Sequence, residues 1–167
     1  MLIEILKSPS FLSAVLTVCC TLVLFIVKEI IDITSCYFAI MTELKVLKEI
    51  FETTFLKEID NAKSKEILWL KYPLGTDYFT MYNTNCEKIG RIPIPKLRTL
   101  IVSSYTLAKY FLDCLKTNNE CIQFYEDIEL GRINVGIENA EYALRHSFNN
   151  NIIPTAKKMR EVLKYIK

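Results

Sequence analysis

The sequence predicts an all-α protein: an N-terminal transmembrane helix that continues into a long cytoplasmic helix, packed against two or three further helices. Three observations carry this. The run Phe11–Val27, FLSAVLTVCCTLVLFIV, has no charge, no Gly and no Pro. From Glu29 to about Lys65 there is again no Gly or Pro, and Glu, Lys, Leu and Ile dominate, mostly good helix formers. Four Gly in 167 residues are too few for a turn-rich β sandwich.

Composition narrows the function classes. Hydrophobic residues make up 51% of the chain, charged residues 24%, and the formal net charge is +2, a balance that points to neither a nucleic-acid binder nor an enzyme of acidic substrates. Without the anchor, one small domain remains, large enough for a core but small for a deep catalytic cleft. The six cysteines, Cys19, Cys20, Cys36, Cys86, Cys114 and Cys121, form no C-x-x-C pair, so neither a zinc knuckle nor a thioredoxin-like site is visible. Cysteines without a pairing pattern suit a reducing compartment.

The anchor is assigned to 1–31. At about 1.5 Å per residue, Phe11–Val27 and its apolar flanks reach about 30 Å, the thickness of the hydrocarbon layer. Phe11, Leu12, Val15, Leu16, Leu22, Leu24, Phe25 and Val27 supply the lipid-facing surface. Lys28 follows with a stem long enough to lift its ammonium to the headgroups. The alternatives are a buried core helix and a cleaved signal peptide. The second fits poorly, because KEIID follows where a small-residue cleavage site belongs. Lys7 precedes the run, whereas Lys28, Lys45 and Lys48 follow it, which favours an inner-membrane, single-pass topology with the body in the cytoplasm.

Ser8-Pro9-Ser10 reads as the helix start. Within the span, Ser10, Ala14, Thr17 and Thr21 share one face, and Ala14, Thr17 and Thr21 are the candidate span–span contact. The alternative is that the hydroxyls bond their own backbone. The cytoplasmic body, 32–167, begins with a stalk over 32–70. Ile33, Tyr37, Ile40, Leu44, Leu47, Phe51, Phe55 and Ile59 recur at three or four residues and make an apolar stripe. Either later helices of the same chain or a second copy must cover it. Glu43, Lys48 and Glu52 are expected among alternating charges on the outer face, and Asp32 is expected to pair with Lys28 at i,i+4. The sharper reading of Asp32 is a pore-lining group.

The segment 71–95 reads as a turn region, opened by Lys71-Tyr72-Pro73-Leu74-Gly75-Thr76-Asp77 with Thr76 or Asp77 as a cap. Trp69, Tyr72, Tyr78 and Tyr82, with Phe79, form an aromatic cluster, which is either a partner surface or the packed corner of a bundle. Gly90 suits a left-handed helix stop and Pro95 the first turn of the next helix.

Tyr72-Pro73, Tyr82, Asn83, Asn85, Lys88-Ile89-Gly90 and Pro93, followed by Leu97, Ile101-Val102 and Tyr105, carry a resemblance. The pattern is similar to that of many uncharacterised bacterial membrane proteins with an N-terminal span, a helical stalk and a segment resembling Y-x-x-N-x-x-x-I-G-x-L-P. Arg91-Ile92 stands here where apolar pairs are usual. The resemblance covers about Phe11 to Leu115 and implies an architecture without an activity.

Three helices are expected beyond it, at about 96–116, 119–147 and 153–167. The first has a wide face of Leu97, Leu100, Ile101, Ser104, Ala108, Phe111, Leu112 and Leu115. It reads as a second span only if Arg98, Lys109 and Asp113 are tolerated in lipid, at about 2.5–3.5 kcal/mol each near the bilayer centre. Thr117-Asn118-Asn119 is expected to break and cap. Ile122, Tyr125, Leu130, Ile133, Ile137, Ala140 and Leu144 line the second, with Gly131 and Gly136 as a kink or a close crossing. His146 fits the C-terminal dipole beside Arg145 better than a catalytic role. Asn149-Asn150-Asn151 reads as a loop, and Lys157, Lys158 and Lys164 on the last helix are the candidate lipid contact.

No phosphate-loop, dinucleotide, zinc-protease or nucleophile-elbow motif occurs, and no cofactor or metal is expected. Three functions stay open. The first is an oligomerising membrane effector of the bacterial antiviral-defence or toxin type, assembled through span and stalk and perturbing the bilayer. The second is a passive adaptor that holds a cytosolic partner at the membrane. The third is an enzyme using a carboxylate or Cys86 in a pocket. The expected class is a non-enzymatic interaction protein, leaning to the effector, with the membrane and a second copy or another protein as partners.

Overall fold

The computed structural model describes residues 9–73, 75 and 78–166. It is all-helical, and no strand occurs among the described residues. Lys7, Ser8, Thr76 and Asp77, to which topology or capping roles are assigned above, lie outside the described residues.

Helix α1 spans Pro9–Ile50. It passes through one π-helical turn, Phe51–Phe55, into α2, Leu56–Ala62, without leaving helical geometry. The 54 residues Pro9–Ala62 include the one described helix long and apolar enough to cross a membrane, and its most apolar window is wholly unburied. The segment able to cross a membrane and the centre of the body are therefore one rod. The body begins on α1 at Ile33, the first residue packed against the core, and Cys36, Ile40 and Leu44 are buried.

The π turn has a physical cause. Phe51, Phe55 and Ile59 are all buried at a spacing of four. In an ideal α-helix that spacing drifts by roughly 40° per step. One i→i+5 turn absorbs an extra residue and keeps the three side chains on one face.

The chain leaves α2 through a turn in which Glu66 has a positive φ of 56°, and 67–73 runs extended across α4. Helix α3, Thr80–Ile89, lies inside the segment named a turn region, between the cap expected at Thr76 or Asp77 and the helix stop expected at Gly90. Helix α4, Pro95–Glu129, starts with its proline at the first turn as expected, but it runs straight through Thr117-Asn118-Asn119. The asparagines do not break it because their amides are engaged elsewhere. Asn118 is fully buried and donates from Nδ2 to Leu68 O at 2.9 Å. Asn119 accepts from Tyr72 N at 3.1 Å and donates to Tyr72 O at 2.7 Å. The two side chains hold the extended segment as a strand partner would.

α4 ends at Gly131, whose φ of +69° requires glycine. Gly131 N donates to Ile128 O and Arg132 N to Asp127 O, the Schellman pattern of a helix stop. Gly131 is thus a terminator rather than a kink. Gly90, by contrast, is right-handed at φ −58°, and Arg98 Nη1 closes that turn on its carbonyl at 2.8 Å.

Helices α5, Ile137–Ser147, and α6, Ile153–Leu163, are joined not by a loop but by a second π turn, Phe148–Ile152. Leu144, Phe148, Ile152 and Ala156 repeat the spacing of four and are all buried. The core gathers α1, α2, the α3–α4 turn, α4, the second π turn and α6 around Phe51, Phe111 and Phe148. Phe111 meets Phe51 and Phe55 edge-on, each at 5.3 Å between centroids. The stalk's apolar stripe is thereby covered by later helices of the same chain.

Candidate functional site

Midway along the body, α1 presents Glu43 to the N-terminus of α3. Its carboxylate accepts Met81 N at 3.0 Å and Tyr82 N at 3.1 Å, and the Tyr105 hydroxyl donates to it as well. Phe79, the N-cap residue, makes no side-chain cap hydrogen bond, and Glu43 satisfies two first-turn amides of α3 from another element. This displaces Glu43 from the outer charged face expected for it. Tyr105 is buried, stacked on Tyr82 at 4.1 Å and met edge-on by Phe79 at 5.6 Å. Burial, reinforced by the Glu43 carboxylate, pushes the Tyr105 phenol far above its ordinary range. With three donors on its two oxygens, Glu43 is a structural acceptor and not a free base.

Two cavities flank this cluster. One, of about 140 Å³, lies against the first π turn among Val46, Phe51, Phe55, Tyr72, Phe79 and Phe111, with an almost wholly apolar lining. The other, of about 520 Å³, is more polar, with Tyr82, Asn83, Lys109, Asp113 and Lys116 on its wall. Cys86 is exposed on α3 and lines neither. Burial pushes the thiols of Cys36, Cys114 and Cys121 up, away from the thiolate form that nucleophilic work needs. Among the described residues, no group of three His, Cys, Asp or Glu side chains is placed to hold a metal ion.

The aromatic cluster divides. Tyr72 packs on Phe55 at 4.7 Å and Tyr82 on Tyr105, both half-buried. The Tyr78 hydroxyl accepts from Gly75 N and donates to Pro73 O, closing its own loop. Tyr78 and Trp69 are both exposed, Trp69 the more so at 47%, with its ring edge-on to Tyr125 at 4.9 Å. Trp69 belongs to the end of the body remote from the span, where Leu130 and Tyr142 are also exposed.

In the span, Phe11, Leu12, Val15, Leu16, Leu22, Leu24, Phe25 and Val27 are all exposed, as a lipid-facing surface requires. The Thr17 hydroxyl donates to Ser13 O at 2.9 Å and that of Thr21 to Thr17 O at 2.8 Å, so both are satisfied within the helix. Where Asp32 and Lys28 were candidates to pair, the ion pair formed at this level is Arg91 Nη1 to Glu29 Oε1 at 2.8 Å. A pairing across sixty residues leaves no local signal to read.

Lys157, Lys158 and Lys164 are exposed, but α6 is fastened far up the stalk: Lys48 Nζ donates to Ile166 O at 2.8 Å. Lys48 stands about 30 Å along α1 from Val27. That is well beyond the roughly 8 Å over which charges act at physiological salt. Measured from Phe11–Val27 as the span, these lysines lie well above the headgroups. His146 is exposed and bonds Asn150 through Nδ1 at 3.0 Å, within a helix that continues past it. No protein-family model matches the sequence, and no characterised protein or solved structure is significantly similar to it.

Proposed function

We propose that this chain is a non-enzymatic, membrane-tethered helical adaptor. It is held in a bacterial inner membrane by Phe11–Val27, with the body in the cytoplasm and a recognition surface on the far end. The observation that carries this reading is the covering of the stalk stripe by α4, α6 and the α3–α4 turn, which makes the body complete as a single copy. An apolar stripe in need of a partner was the main support for an oligomerising effector, and that support is gone. Span-to-span assembly would rest on Ala14, Thr17 and Thr21, whose two hydroxyls need no partner. The body offers apolar surface at the tip, where Trp69, Leu130 and Tyr142 are well exposed, besides exposed apolar side chains such as Phe38 and Tyr110 along its length. The rod sets that tip about 50 Å beyond the end of the span.

The test is membrane potential and viability in bacteria after induced expression, beside a chain lacking Met1–Val27. The adaptor leaves both unchanged. Rapid depolarisation that vanishes with the anchor overturns it in favour of the bilayer-perturbing effector.

A further inference from the structure

The α3–α4 turn, Ile89–Pro95, sits at the membrane end of the body. Arg91 reaches Glu29, two residues beyond Val27, where the uncharged run of the span ends. A second height comes from the Tyr105–Glu43 hydrogen bond. Glu43 stands about 24 Å up α1 from Val27, and Ile94 lies about 16 Å down α4 from Tyr105. For two helices running side by side, that places Ile94 about 8 Å above the hydrocarbon edge. The headgroup layer on each side of a bilayer is roughly 5–8 Å thick.

The composition of the turn suits that level. Ile92 points into the core at 3% exposure, whereas Ile94 is 55% exposed. Pro93 and Pro95 on either side stiffen the backbone that presents it. Lys88, Arg91, Lys96 and Arg98 flank it in the chain, Arg91 and Lys96 exposed and Lys88 and Arg98 half-buried, with Arg98 held on the Gly90 carbonyl. The acids facing the same level are Glu87 on α3 and Glu29 and Asp32 on α1, of which Glu29 is already paired with Arg91. A large apolar side chain flanked by cations and held at headgroup height is the chemistry of an anionic phospholipid contact.

We infer that the Lys88–Arg98 segment is a foot that docks on anionic phospholipid headgroups, with Ile94 inserted among them. This rests on the reading of Phe11–Val27 as a span. The foot fixes how the body stands on the bilayer, a role that the lysines of α6 are too distant to fill.

The test uses the full chain in a Trp69→Phe background, which removes the single native tryptophan, reconstituted into vesicles containing brominated phosphatidylcholine. One variant adds Ile94→Trp and a second adds Val18→Trp. With about one third phosphatidylglycerol, fluorescence of the I94W protein is expected to be quenched at least about twofold more than in pure phosphatidylcholine. Lys96→Glu in the same background should reduce that difference. The V18W protein should be quenched in both compositions. Quenching of V18W without quenching of I94W overturns the foot and leaves the anchor standing. Equal quenching of I94W in neutral and anionic vesicles overturns the headgroup recognition. No quenching of V18W in either overturns the span, and the foot with it.

Discussion

Glu43 shows how one side chain can support an element far away in the chain. The stretch TMYNTNCEKI carries two asparagines and two threonines, and by propensity it is a poor ten-residue helix. A carboxylate from α1, nearly forty residues away, satisfies the amides of Met81 and Tyr82 in its first turn. The same carboxylate holds the buried Tyr105 hydroxyl. Glu43→Ala would leave three donors without their acceptor. It is expected to cost about 2–3 kcal/mol, against about 1 kcal/mol for Tyr105→Phe, which removes a donor and its hydroxyl together. Thermal unfolding of the full chain in detergent, followed by helical circular dichroism, measures both. A Glu43→Ala loss no larger than that of Tyr105→Phe would remove Glu43 from this role.

At the scale of elements, periodicity was a good guide and breaker residues a poor one. The stripe from Ile33 to Ile59, the start of α4 at Pro95 and the inward faces of α4 and α6 all follow from apolar spacing and proline chemistry. Asparagine-rich stretches misled in two places because an amide can serve a distant backbone as readily as its own. Asn118 and Asn119 bind the 68–72 segment from within an unbroken helix. Asn149–Asn151 lie in a π turn that keeps Phe148 and Ile152 inward. The usable signal was the helical spacing of buried positions, from Leu115 through Asn118 to Ile122 in the first place and from Leu144 through Phe148 to Ile152 in the second, since a loop has no need to preserve it. Deletions test the first π turn. Removing Thr53 takes out the residue that the turn absorbs, so the turn reverts to ideal α geometry with Phe55 and Ile59 still on the core side, whereas removing Lys57, beyond the turn, swings Ile59 by about 100° out of the core. Losing the burial of Ile59 makes the expected cost of the second deletion about 1.5–3 kcal/mol. The Thr53 deletion should cost under about 1 kcal/mol. Similar unfolding midpoints for the two variants would show that the turn does not absorb an extra residue.

Across the whole molecule, the candidate site proved harder to read than the fold, because it depends on which residues end up at the same height along one rod. Arg91 beside Glu29, Glu43 beside Tyr105 and Lys48 beside Ile166 are juxtapositions of residues 62, 62 and 118 apart. Together they lay the body along α1 with the α3–α4 turn toward the span and Trp69 away from it. They also separate the two roles of the central helix: every residue from Pro9 to Lys28 is exposed, and the first core contact is Ile33. The chain without Met1–Val27 therefore retains its complete core and its covered stripe. It is expected to be soluble without detergent, helical, and monomeric by size-exclusion chromatography with light scattering at micromolar concentration. A stable dimer of this truncated chain would mean that α4 or α6 covers the stalk of a neighbouring copy, and oligomerisation through the stalk would return as the working model. A monomer would confine any assembly of the full-length protein to the span or to the exposed tip, where substitutions at Ala14 and Trp69 would tell the two apart.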